Sequence, residues 1–121
     1  MTIKTISRNN KTVAVISATN KIITDVQSAL DLIMSVKYDT KTDLIAIDKK
    51  TVCEDFFILS TGLAGEVLQK FINYQTKVAF IGDYSKYTSK PLKDFIYECN
   101  NGKDIFFVND EKEAVDYLVN A

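Results

Sequence analysis

The sequence predicts an α/β fold: a mostly parallel sheet entered through an N-terminal hairpin and covered by helices. Three observations carry this. Leu44-Ile45-Ala46-Ile47, Lys77-Val78-Ala79-Phe80-Ile81 and Ile105-Phe106-Phe107-Val108 are short, apolar almost throughout and bounded by polar residues, the pattern of strands buried on both faces. Stretches with apolar residues at helical spacing separate and follow them. Ahead of them all come Thr2 to Ser7 and the β-branched run Thr12-Val13-Ala14-Val15-Ile16, which read as a hairpin at the edge of a sheet. The order is β-β-α-β-α-β-α-β-α, and such strand–helix–strand alternation implies right-handed crossovers.

The 121 residues suffice for one domain, 1–121, whose core needs no metal or disulfide staple. Apolar residues make up 46% and charged residues 26% of the chain, the balance of a soluble globular protein. Fifteen basic against sixteen acidic residues leave a net charge of −1, which argues against a general nucleic-acid or anionic-membrane surface. No secretory leader follows Met1 and no apolar run approaches roughly eighteen residues, so a cytoplasmic protein is expected.

Taken in order, Arg8-Asn9-Asn10-Lys11 turns the hairpin; without Asn-Gly its turn type stays open. Thr24-Asp25-Val26-Gln27 matches a capping box, with Thr24 at the N-cap and Gln27 three residues on. Val26, Ala29, Leu30, Ile33 and Met34 then form the predicted inner face of a helix that fades near Tyr38. Between Asp48 and Leu59, apolar and charged residues interleave; a short helical turn or an early start of the next helix both fit. The longest predicted helix opens at Ser60-Thr61 and reaches about Tyr74, burying Leu63, Val67 and Phe71 with Ala64, Leu68 and Ile72 at the flanks. Gly62 and Gly65 are poor helix formers in its first turns, which suggests close approach by another backbone or a ligand.

After the second buried strand, Gly82-Asp83 opens a hydroxyl-rich loop containing Tyr84, Ser85, Tyr87, Thr88 and Ser89. Pro91 fits the first turn of the following helix, where its missing N–H costs nothing. Leu92, Phe95, Ile96 and Cys99 form that helix's inner face, and Gly102 is placed as its left-handed C-terminal residue. Asp110 with Glu113 caps a closing helix that buries Ala114, Val115 and Leu118.

The candidate site centres on Ser60, Thr61 and Gly62. A helix start presents unpaired N–H groups and a positive dipole end, able to receive a phosphate, a carboxylate or a partner's acidic residue. Asp48 and Asp83 each end a predicted buried strand, and ligands of open α/β sheets bind beyond such ends. With Ser85, they are expected to border the same crevice as Ser60. Two carboxylates near hydroxyls suit a magnesium-assisted phosphate site or a phosphoacceptor, but loop capping is the plainer use, and no metal or cofactor is expected.

Neither Gly62-Leu63-Ala64-Gly65 nor Gly82-Asp83-Tyr84-Ser85 completes a nucleotide-binding motif. The absence of histidine excludes a Ser-His-Asp or Cys-His nucleophile, so the expectation is not an enzyme. Cys53 and Cys99 read as idle thiols. The tyrosines at 74, 84, 87 and 97 suit either a partner face or a half-buried core.

The element order resembles that of STAS domains, the family of bacterial anti-sigma-factor antagonists, and Ser60-Thr61-Gly62-Leu63 resembles the Ser-Ser-Gly-Leu opening of their second helix. The resemblance implies a STAS-like fold and a serine phosphorylated by a partner kinase, placing that role on Ser60 with Thr61 beside it. Leu59 stands where the antagonists carry aspartate, and a second register aligns Val52-Cys53-Glu54-Asp55 with the approach to the motif. That register puts Phe56 at the phosphosite, where no hydroxyl is available.

A closer likeness is carried by Glu54-Asp55-Phe56-Phe57, Ser60 to Glu66, Gln69-Lys70-Phe71, Gly82-Asp83-Tyr84-Ser85 and Asp94-Phe95-Ile96-Tyr97-Glu98. These resemble an uncharacterised bacterial family of short STAS-like proteins, domain of unknown function 4180, which brings no established activity. The expectation is therefore a regulatory protein–protein interaction module with a protein partner, switched by phosphorylation at the start of the second helix. The alternative is a sensor of an anionic metabolite or nucleotide at the same helix N-terminus. The exposed hairpin edge leaves a homodimer open.

Overall fold

The structure is a computed structural model that describes residues 1–121. Its centre is a five-stranded mixed sheet in which spatial order follows chain order. Strands β1 (Thr2–Arg8) and β2 (Lys11–Ser17) pair antiparallel. Asn9 and Asn10 between them both take left-handed backbone, at φ 55° and 64°, which makes the turn type I′ and answers the question the missing Asn-Gly left open. Strands β3 (Leu44–Asp48), β4 (Lys77–Ile81) and β5 (Ile105–Val108) then add in parallel.

Because every crossover steps in the same direction, crossovers of one hand place their helices on one face of the sheet. Helices α1 (Val26–Thr40), α2 (Leu63–Asn73) and α3 (Lys90–Asn100) share one core with Ile16, Ile45, Ile47, Phe80 and Phe107. Helix α4 (Glu111–Asn120) follows β5 and covers the opposite face. There it lies over Val13, Val15, Ala46, Ala79, Phe106 and Val108. Its expected buried residues Ala114, Val115 and Leu118 are joined by Val119, and Asp110 caps it by accepting the Glu113 N–H at 2.8 Å.

Several local expectations need correction. Helix α1 is capped by Asp25, not Thr24: the Ser28 N–H donates to Asp25 Oδ1 at 2.7 Å, and Ser28 Oγ accepts the Asp25 N–H at 3.0 Å. Gln27 instead donates to Asp31 one turn on. The buried stripe of α1 is Ala29, Leu32, Ile33 and Val36, leaving Met34 38% exposed and Leu30 half-buried. The segment holds two overlapping apolar stripes, and the position of the sheet selects between them. With 15 residues against 11 for α2, α1 is the longest helix.

Between β3 and α2 the chain makes three 3-10 turns, Lys49–Thr51, Glu54–Phe57 and Leu59–Thr61. Helix α2 begins only at Leu63, with Gly62 as N-cap at φ 76°, so Ser60 does not open it. Ile72, expected at the core flank, is 45% exposed. Gly102 is not left-handed, since Gly62 is the one glycine with positive φ. Helix α3 instead ends through Asn101 near φ −87°, and the Gly102 N–H donates to the Cys99 carbonyl at 3.0 Å.

Both sheet edges belong to end strands, but only one is closed by a side chain. Asn100, at the end of α3, donates to the Phe107 carbonyl at 3.1 Å and accepts the Phe107 N–H at 2.7 Å, sealing the middle of β5. No helix is long and apolar enough to cross a membrane.

Candidate functional site

At the carboxyl ends of β3 and β4, the 3-10 segment meets the loop that leads into α3. Both are tied down locally. The Cys53 N–H donates to the Ile23 carbonyl at 2.9 Å, anchoring the start of the segment beside the chain that enters α1. The turn Glu54–Phe57 then directs two adjacent rings inward. Phe56 packs on Phe80 with centroids 5.2 Å apart, and Phe57 stacks on Tyr87 at 5.4 Å.

The loop opens with an Asx turn in which Asp83 accepts the Ser85 N–H at 2.9 Å. That carboxyl is held below the usual carboxylate range, first by the Ser85 hydroxyl and then by the N–H, with smaller attractions from Lys49 and Lys86. The Tyr84 hydroxyl donates to the Phe80 carbonyl at 2.8 Å, and burial raises its pKa strongly.

Lys49 bridges the two elements. Its stem lies over Gly82, where a Cβ would sit 2.7 Å from Lys49 Cβ, so glycine is required for this approach. Its ammonium stands 4.9 Å from the Tyr87 ring centre and 5.4 Å from that of Phe57, in cation–π range of both. Tyr87 also reaches Glu54 Oε2 through its hydroxyl at 3.4 Å. Burial, then the Glu54 charge, raises the Tyr87 pKa. Lys86 approaches Glu54 at 4.0 Å and lies 5.4 Å from the Tyr87 ring centre.

These contacts wall a groove of about 460 Å³ whose lining includes Phe57, Leu59, Ser60, Lys86, Tyr87 and Leu92, with Thr88 and Ser89 beside them. A larger groove of about 520 Å³, on Phe106 and Tyr117, lies by Gly102 and Lys103 at the amino end of β5. Open α/β sheets bind ligands at the carboxyl ends of their strands, which favours the smaller groove.

Each expected site residue has a definite place. Ser60 is exposed at the groove rim and caps neither the turn Leu59–Thr61 nor α2. Thr61 is committed: its hydroxyl lies 2.8 Å from the Asp55 carbonyl and 2.9 Å from that of Ile58, and it accepts the Leu63 N–H at 3.2 Å. Gly62 supplies the left-handed entry to α2 and no side-chain cap. Asp83 and Ser85 are bonded to each other in the loop.

Asp48 accepts the Lys50 N–H at 2.9 Å and borders a different groove, beside Ser17, Ala18 and Thr19. A single crevice uniting Asp48 with Ser60 is therefore not what the fold builds. The reason is the 3-10 segment, which carries the chain away from the end of β3 before Ser60 is reached.

Phe57 and Lys86 line the groove and Lys49 and Glu54 support its wall through Tyr87, although none of the four is among the expected site residues. The paired phenylalanines inside a charged stretch were the one available signal. Both cysteines are unlinked. Cys53 donates weakly to the Thr24 carbonyl at 3.7 Å, and burial, with Glu98 nearby, pushes the Cys99 thiol up to about 11.

No curated protein and no solved structure matches the chain. A family model described as Domain of unknown function (DUF4180) matches residues 8–118, from the end of β1 through most of α4. The chain belongs to the DUF4180 family.

Proposed function

We propose that this chain is a non-enzymatic, STAS-like regulatory module of a bacterial cytosol that captures a protein partner over the groove edged by Ser60. Phosphorylation of Ser60 is the switch. The observation that carries the reading is the contrast between neighbouring hydroxyls: Ser60 is exposed at the rim of a half-apolar groove, whereas Thr61 is held by its own turn. A kinase can reach the first without unfolding anything. A phosphate there adds about −1.5 to −2 charges at the edge of the docking surface. The absence of histidine leaves Ser60 with no imidazole base, in keeping with a binding role.

The test is capture of partners by wild type, Ser60→Asp and Ser60→Ala. The aspartate variant is expected to lose partners that the alanine variant retains; identical recovery by all three ends the switch.

A second reading is a sensor of a small anionic metabolite or nucleotide. It is favoured by the start of α2, where Gly62 provides no side-chain cap and leaves N–H groups for an external acceptor. A thermal-shift screen of nucleotides, phosphates and organic acids tests it, since a ligand of the native state raises the melting temperature with concentration. A flat response across the screen removes this reading.

A further inference from the structure

We infer that the groove receives an acidic residue flanked by large apolar ones, with the carboxylate on Lys86 and the apolar neighbour over Phe57, Leu59 and Leu92. The inference rests on the partner-binding reading above and names the chemistry of the segment bound. The lining carries one cation, Lys86, three aliphatic hydroxyls (Ser60, Thr88 and Ser89) and no acidic side chain; its remaining residues are aromatic, aliphatic or Pro91. Lys86 is the only charge in the lining, its Glu54 contact lying outside it, and an ammonium beside an apolar floor favours an acidic–apolar peptide over a basic one.

Lys86 is free to serve. Its contact with Glu54 is 4.0 Å long and both side chains are about 60% exposed, at 62% and 60%, the kind of pair that contributes little. Glu54 keeps the Tyr87 hydroxyl at 3.4 Å when Lys86 turns away. The wall itself stays in place, because Tyr87 is held by its stack on Phe57 and by the Lys49 ammonium. A phosphate on Ser60 lies in the same groove as Lys86 and competes with the peptide's carboxylate for that ammonium. The switch then works by self-occupancy as well as by repulsion.

Two capped peptides, one with a glutamate between leucines and one with glutamine in its place, are titrated into ¹⁵N-labelled protein and followed by amide shifts. Saturable shifts are expected in 57–60 and 86–92, with the glutamine peptide about two- to fivefold weaker, as for an exposed ion pair. Lys86→Gln is expected to fold normally, since Lys86 is exposed, and to bind both peptides equally. Ser60→Glu is expected to weaken the glutamate peptide and spare the glutamine one.

Equal affinity of the two peptides for wild type, shifts centred elsewhere, or no saturation at millimolar peptide overturns the inference. If the peptides fail while Ser60→Asp still loses partners that Ser60→Ala keeps, the regulatory reading stands and only the acidic chemistry falls. If the peptides bind as expected while partner capture ignores Ser60, the groove chemistry stands and the switch falls.

Discussion

The two faces of the sheet are built on different principles. The face under α1, α2 and α3 holds a core of 21 buried residues, rich in rings: Phe56, Phe57, Phe71, Phe80 and Phe107. The face under α4 holds 10, and its central strands present Ala46 and Ala79 to the helix. Small residues let a single helix lie close across several strands, while the large rings opposite fill the space that three helices leave between them. The edge of the α4 face is then finished by charges, with Lys4 on Glu111 at 2.9 Å, Arg8 on Asp116, and Lys11 donating to the Val119 carbonyl at 3.0 Å. The ring-filled face also carries the candidate groove, because its core continues past the strand ends through Phe57, Tyr84 and Tyr87. Core and candidate groove are thus continuous on the ring-filled side, and the α4 side takes no part in that groove.

The contrast can be broken at its strongest point first. Phe80→Ala removes the ring between Phe56 and Phe107, whose centroids each lie 5.2 Å away. It is expected to cost about 3–5 kcal/mol in urea unfolding and to shift the Phe57 and Tyr87 signals with it. A loss under 1 kcal/mol would mean that the rings are not a connected core.

Ala79→Leu tests the other face by excess rather than deficit. Ala79 is fully buried beneath α4, and overpacking there is expected to cost about 1–3 kcal/mol. Its amide shifts are expected to move α4 while leaving 57–60 and 86–89 unchanged. Perturbation of the groove by this variant contradicts the separation of the two sides.

Lys4→Ala should matter less, by about 0.2–1 kcal/mol, as expected for an exposed pair, and the difference should shrink in high salt. The smallest effect is confined to acid. The Asp25 carboxyl is held below its ordinary 3.8 by the Ser28 N–H and hydroxyl. A carboxyl with a depressed folded pKa contributes stability that is fully present above its unfolded value and is lost as the pH falls from there through the folded pKa. Asp25→Asn can still accept the capping N–H, so it should leave neutral stability nearly intact and flatten the decline below pH 3.8. A decline unchanged in the variant assigns acid sensitivity to other carboxylates.

What could be read directly were the features set by local chemistry. Three apolar runs became strands β3, β4 and β5, Asp110 capped α4, and Pro91 sits in the first turn of α3. Features decided by a choice between neighbouring residues were not legible in the same way. Thr24 and Asp25 are both competent N-caps, and which one serves depended on where α1 met the sheet. Ser60 and Thr61 likewise stand side by side, and only the fold of the turn shows that one hydroxyl is used and the other exposed.

The sequence alone determined the order of strands and helices, because burial on two faces, helical periodicity and capping are all written within about ten neighbouring residues. The tertiary structure decided which face each helix covers, which stripe of α1 is buried, and that Asp48 and Ser60 open onto different grooves. Those outcomes depend on contacts between residues far apart in the chain. Lys49 over Gly82 and between two rings is such a contact: no spacing announces it, and it forms only when β3 and β4 lie side by side.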